Sequence, residues 1–214
     1  AIANADVFIF QPIKDEYYIH STEYHLSKIK PECRTISMPF VYNTSTWPIA
    51  PILKRDFMEV YTKEGDNLVL VNHEAIDNLI LRKMSSNDII KSYCNNTMDF
   101  YYEKRFRHEL SMLDIRENNL NVKVADFIRD NISKKRLFLS CSHPTSVLFE
   151  YMSNQILVLL GLSTLRGMYP LDYANITACG IPIPYPTSSI DHFKFEFDNE
   201  GSKEIADPFY RDLI

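Results

Sequence analysis

Short apolar runs and longer stretches with helical spacing take turns along this chain. The first run, Asp6-Val7-Phe8-Ile9-Phe10, is too short for a stable helix and is bounded by Gln11-Pro12, where proline ends a hydrogen-bonded ladder. It predicts a strand over 6–10. Residues 21–29 predict a short helix that Pro31 stops, and Arg34–Met38 a second strand. The stretch 39–51, PFVYNTSTWPIAP, is irregular and aromatic and carries the single tryptophan, Trp47. Such an apolar loop is expected to fold back onto the body, as packing or as one wall of a pocket. Lys63–Asn67 predicts a turn. Residues 68–82 predict a helix through Leu68, Val71, Ala75 and Leu79, with Asn72 and His73 on or beside its exposed side, and Ser86 opens a further helix over Asn87–Tyr93.

The longest amphipathic helix is expected over 98–118, where Tyr102, Phe106, Leu110 and Leu113 follow i, i+4, i+8, i+11. Glu103 and Arg107 have the spacing of a helix-surface ion pair. Arg105, His108, Glu109 and Arg116 share one side, and two arginines there suit phosphate groups; an ordinary solvated face is the plainer alternative. Asn121 is expected to cap a helix over Val122–Ile132 that buries Val124, Phe127, Ile128 and Ile132. Lys134-Lys135-Arg136 closes it with the cations that a helix C-terminus favours.

Leu137-Phe138-Leu139 predicts a buried strand and Ser140-Cys141-Ser142 a tight turn. Pro144, whose missing N–H has no intrahelical partner at a first position, predicts a helix start with His143 near the N-cap. Val147–Leu160 is apolar nearly all round, which predicts a buried helix. It is too short for a bilayer, which takes about 20 residues. Beyond Gly161 the pattern breaks up at Gly167, Pro170 and CGIPIPYP (179–186), and FKFEF (193–197) alternates like an edge strand. Together these elements predict one α/β domain over 1–214: a three-layer sandwich with a mainly parallel sheet, Rossmann-like or SGNH-like.

Ligands of open α/β sheets bind outside the carboxyl ends of the strands, and helix N-termini favour anions. His143, Thr145 and Ser146 are expected at one such place and Gln11 at another, although a histidine that merely caps a helix fits the same position. Ser140, Ser142 or Cys141 beside His143 are candidate nucleophiles; a buried, inert thiol is the commoner fate of such a cysteine.

Composition narrows the classes. With 45% hydrophobic and 24% charged residues, this is an ordinary globular chain, and 5 Gly against 13 Tyr and 13 Phe excludes low complexity. A net charge of −5 without a basic block argues against nucleic acid or an anionic membrane as main partner. Cys33, Cys94, Cys141 and Cys179 form no CxxC pair, so neither a zinc site nor a disulfide framework is expected, and a reduced, cytoplasmic setting fits. Sequons at Asn43, Asn95, Asn131 and Asn175 mean little without a signal peptide. The chain starts without Met and enters an interior type of strand at once, so an N-terminal strand and its motif are expected to be missing.

The segment SMLDIRENNLNVKVADFI, followed by RLFLSCSHPT, a helix ending in LLG, and IPIPYP, resembles the capsular polysaccharide biosynthesis family called WcbI. The opening DVFIFQPIKDEYY fits the same family's Q-P segment, and the likeness covers roughly 6–190. Its most specific part lies around 116–145. The family's N-terminal Gly-Asn-Cys-Gln motif has no counterpart here, and its aromatic-Gly-His-Pro-Asp segment is replaced by VYNTSTWP (41–48). The resemblance implies an acetyltransferase that takes coenzyme A or acetyl-CoA as substrate and acts on a saccharide, with no metal. Acyl transfer needs a base, oxyanion donors and cations or helix N-termini for the nucleotide phosphates. With the resemblance, predicted position makes His143 the base or an oxyanion contact and Gln11 an orienting amide. Arg105 and Arg116 become phosphate contacts, and the Thr145 and Ser146 amides an anion site. Two alternatives stand beside this: an SGNH-type esterase or deacetylase, which lacks its G-D-S motif here, and a non-catalytic binding module.

Overall fold

The computed structural model describes residues 2–47, 74–141, 143–166 and 184–197. Strand β1 (Val7–Phe10) pairs in parallel with β2 (Arg34–Ser37), Val7 opposite Arg34 and Phe10 opposite Ser37. The crossover between them is a kinked 3-10 segment (Asp15–His20) and helix α1 (Thr22–Leu26). The Ser21 hydroxyl accepts the Tyr24 N–H at 3.2 Å and starts α1. Well before Pro31, the Ser27 hydroxyl donates to the Tyr24 carbonyl at 2.8 Å, a side-chain bond that competes with further helix.

Helix α2 (Glu74–Leu81) is the described part of the helix expected over 68–82; residues 68–73 and the turn at 63–67 lie outside the described residues. Helix α3 (Ser86–Cys94) is capped by Ser85 rather than Ser86: the Ser85 hydroxyl accepts the Asp88 N–H at 3.2 Å. Helix α4 (Tyr102–Glu117) buries the expected stripe of Tyr102, Phe106, Leu110 and Leu113, and the Glu103–Arg107 pair forms at 2.6 Å. The stripe continues one turn further, onto Glu117, which is also buried.

Asn121 does not cap the next helix. Its side-chain oxygen accepts the Ser37 N–H at 2.8 Å and the Ser37 hydroxyl at 2.9 Å, which ties the end of β2 to the α4–α5 connection. Helix α5 (Ala125–Asn131) begins later than the sequence suggests, and the Glu117 carboxylate caps it, accepting the Val124 N–H at 2.8 Å and the Ala125 N–H at 3.1 Å. A carboxylate at a helix N-terminus satisfies orphan donors and meets the positive end of the dipole.

Strand β3 (Phe138–Ser140) pairs antiparallel with a two-residue strand β4 (His143–Pro144). Pro144 therefore sits in a strand facing Phe138, not in the first helical turn; a short strand of this kind tolerates its missing N–H. Helix α6 (Ser146–Leu160) follows, with Thr145 as its N-cap residue, and ends at Gly161 in the left-handed conformation (φ 74°), a C-terminal position that favours glycine. Its apolar residues are not buried all round. Leu148 and Met152 are buried and Ile156 and Leu159 pack beside them, again at i, i+4, i+8, i+11, whereas Phe149 and Val158 are 46% and 63% exposed. The helix flanks the described core and offers it one stripe.

The segment 193–197 is not an edge strand. Helix α7 (Thr187–Phe193) runs into it, and Lys194, with φ 54°, ends the helix. The alternation of Phe193, Phe195 and Phe197 reflects burial after a helix end, with Phe193 and Phe195 stacked at 5.5 Å. The core gathers Trp47, Tyr185, Phe100, Leu137 and Phe138, with the Trp47 and Tyr185 rings stacked at 4.5 Å. Trp47 is thus packing rather than a pocket wall; its indole N–H donates to the Pro184 carbonyl at 3.2 Å. The chain is a mixed α/β fold, and the described strands form one parallel and one antiparallel pair in separate sheets.

Burial raises the pKa of Glu117 above the ordinary glutamate value, against the two amide bonds that pull it down. Glu117→Ala should cost about 2–3 kcal/mol in chemical denaturation, because two amides lose their acceptor. The folded carboxyl holds its proton more tightly than the unfolded one. Wild-type stability should therefore fall, relative to Glu117→Gln, as pH rises from about 4.5 through the raised folded value. Denaturation of both proteins across pH 4–8 checks the sign.

Candidate functional site

Residues 39–47 leave β2 without a repeating backbone ladder and fold around side-chain acceptors instead. The Asn43 side-chain oxygen accepts the Ser45 hydroxyl at 2.8 Å and the Thr46 N–H at 3.1 Å, and all three residues are buried. From α4, the Glu109 carboxylate accepts the Thr44 N–H at 3.0 Å, the Ser45 N–H at 3.1 Å and the Thr44 hydroxyl. Two successive amides pointing at one anion form a concave anion-binding turn, here filled by the protein's own side chain.

Several residues expected to carry function meet this loop. The Gln11 side-chain amide, at the carboxyl end of β1, donates to the Pro39 carbonyl at 3.3 Å. Arg105 reaches the Thr44 carbonyl at 3.5 Å, and the Arg116 guanidinium lies 5.0 Å from the centre of the Tyr42 ring. The Asn43 N–H donates to the Cys141 carbonyl at 2.7 Å, which joins the loop to the β3–β4 turn that carries His143. Arg105, Glu109 and Arg116 thus face one loop, whereas His108 is simply exposed.

The antiparallel register that places His143 opposite Ser140 also brings the Ser140 hydroxyl within 2.5 Å of His143 Nδ1. Ser140 is buried and His143 exposed. Such a pair can work in two ways. Either Nδ1–H donates to the hydroxyl and Nε2 is the proton acceptor, or the hydroxyl donates to Nδ1 and is itself activated. Cys141 is half-buried and not in a disulfide, and Ser142 lies outside the described residues.

Thr145 does not offer an anion site. Its amide donates to the Leu137 carbonyl at 2.9 Å and its hydroxyl to the Arg136 carbonyl at 2.7 Å, so both donors hold the strand–helix connection together. Ser146 is the first residue of α6, a start that no Thr145 side-chain bond caps. Two cavities, of about 190 and 350 Å3, are lined by neither His143, Gln11, Arg105 nor Arg116. Among the described residues no group of three or more His, Cys, Asp or Glu side chains could hold a metal ion, and no helix is long and apolar enough to cross a membrane. The holding role of Glu109 was hidden in the sequence among other charges on the α4 face. The Ser140–His143 contact was legible only as proximity.

No curated protein matches the chain. A solved structure of WcbI, described as a novel polysaccharide biosynthesis enzyme in its native form without a disulfide bond between coenzyme A and one of its cysteines, superposes with a TM-score of 0.70. The match has 17% sequence identity and covers 99% of this chain and 71% of that one, and it shows a shared fold. The family model for the polysaccharide biosynthesis enzyme WcbI matches residues 1–165. That is well over half of the 214 residues, and the chain belongs to the WcbI family of polysaccharide biosynthesis enzymes.

Proposed function

We propose that the protein binds coenzyme A thioesters and transfers the acyl group, acetyl in the simplest case, to a hydroxyl of a capsule saccharide. The observation that carries this reading is the Ser140–His143 pair beside a loop that two arginines contact. Arg105, Arg116 and the uncapped start of α6 at Ser146 are the donor set that suits a polyanionic nucleotide. The WcbI structure that shares this fold is described with reference to coenzyme A, which supports the same donor. A three-layer α/β frame and a cytoplasmic reaction, where such thioesters are made, belong to the same reading.

In the transfer, the saccharide oxygen attacks the thioester carbonyl while its proton passes to His143 Nε2. The carbon–sulfur bond then breaks, and the leaving thiolate takes that proton. Ser140 accepts from Nδ1–H, fixing the tautomer that leaves Nε2 basic. Gln11, held at Pro39, orients the loop. The same contact favours one second reading, an esterase or deacetylase in which the Ser140 hydroxyl attacks and His143 Nδ1 takes its proton.

Calorimetric titration should show micromolar binding of coenzyme A and acetyl-CoA, weakened about tenfold or more in an Arg105→Ala, Arg116→Ala double variant; no binding overturns the proposal. His143→Gln should lower the rate of thioester consumption in the presence of saccharide about a hundredfold or more. Ser140→Ala should slow that reaction without abolishing it. Ester cleavage without coenzyme A that vanishes in Ser140→Ala, with an acyl group recovered on Ser140 by mass spectrometry, would establish the esterase instead.

A further inference from the structure

The smaller cavity, about 190 Å3, lies where α2 and α3 end and α4 begins. Each of the first two helices closes with a non-glycine residue in the left-handed region, Lys83 (φ 60°) after α2 and Asn96 (φ 54°) after α3. The bonds from Met84 N–H to Leu79 O and from Thr97 N–H to Ser92 O complete these ends. A third left-handed residue, Tyr101 (φ 52°), opens α4; its N–H is held by the Asp99 carboxylate at 2.8 Å. Tyrosine is bulky for that conformation, and strain of this kind tends to persist at ligand sites. Tyr101 lines the cavity.

The lining has a particular chemistry. Asn78 on α2 and Arg82, the first residue past its end, line the cavity together with Asp99, and Leu79 and Met98 supply apolar surface. The side chains of Asn78 and Arg82 make no hydrogen bond to another described residue, and one Asp99 oxygen takes only the Tyr101 amide. The charges of the lining, Arg82 and Asp99, offset each other, and the carbonyl ends of two helices lie nearby, so nothing there favours an anion. A wholly apolar ligand would bury a guanidinium and a carboxylate without partners. The space, about 190 Å3, is on the scale of one ring rather than of a whole nucleotide. A neutral polyhydroxylated ring fits: its hydroxyls both donate and accept, matching planar amide, guanidinium and carboxylate groups, and its C–H face suits an aromatic ring.

We infer that the Asn78–Arg82–Asp99–Tyr101 cavity is a binding subsite for a single neutral sugar ring. It is distinct from the loop that Arg105 and Glu109 contact, since neither residues 39–47 nor Arg105, Glu109 or Arg116 line the cavity. An extended glycan that engages this subsite is held to α4 at a distance from the reacting hydroxyl, and remote contacts of that kind raise effective concentration. The inference stands without the transferase reading, because it concerns binding in the absence of any thioester.

The test is titration of the whole chain with methyl hexopyranosides and a neutral hexose disaccharide, followed by amide chemical-shift mapping. Inorganic phosphate serves as the anionic comparison. The expected result is millimolar binding, with shifts concentrated at 78–82 and 97–101, that falls at least tenfold in Tyr101→Ala and in Arg82→Ala. Both side chains are exposed, and unchanged melting of the variants shows that the fold is kept. Absence of sugar binding, shifts elsewhere, sugar binding unaltered in both variants, or phosphate binding more tightly than sugar would each overturn it. Coenzyme A titration of the same variants should be unchanged, so failure here and failure of the transferase reading are distinguishable.

Discussion

The carboxylate of Glu109 gives residues 39–47 their shape. A loop that buries Asn43, Ser45 and Thr46 must satisfy their polar groups internally, because a buried amide without a partner costs roughly 1–3 kcal/mol. Asn43 serves the inner half of the loop, and Glu109 serves the two amides and the hydroxyl that Asn43 cannot reach. The loop is then a fixed surface onto which Gln11, Arg105, Arg116 and the β3–β4 turn can dock. Trp47 closes it from below by stacking on Tyr185, so the same nine residues join the core to the candidate site.

Much of the fold was legible because burial leaves a period in the sequence. The stripe Tyr102, Phe106, Leu110, Leu113 was found by spacing alone, and both strands of the parallel pair by their length and boundaries. The errors share one cause: side chains compete for backbone groups in ways that spacing does not reveal. Asn121 looked like a cap and is instead a clamp on Ser37. The true cap of α5 is Glu117, a charged residue at the next step of the α4 stripe, and that position was the available signal. Pro144 matched a helix start but pairs with Phe138 in a strand, and the phenylalanines of 193–197 alternate without forming one.

The candidate site was legible in residue type and much less so in role. His143, Gln11, Arg105 and Arg116 were singled out from predicted positions, and three of the four prove to contact one loop. Thr145 failed because a threonine at a helix start can spend its hydroxyl and amide on the preceding strand, as it does here with Arg136 and Leu137. No local pattern distinguishes that use from an open anion site.

Helix α4 connects these observations. Its buried stripe fixes its rotation, since turning it by even one residue would bring charged side chains such as Arg105 and Glu109 toward the core. With rotation fixed, Arg105, Glu109 and Arg116 must face residues 39–47, while Tyr101 faces the cavity at the N-terminal end and Glu117 holds α5 at the other. The Tyr102 phenol, buried against the Ser188 hydroxyl at 2.7 Å and raised in pKa chiefly by that burial, anchors the N-terminal turn in its neutral form. A rearrangement that brings substrate groups together would therefore move the loops and leave α4 in place. One helix therefore sets where Arg105 and Arg116 meet residues 39–47 and where Glu117 meets α5, and its start adjoins the cavity that Tyr101 lines.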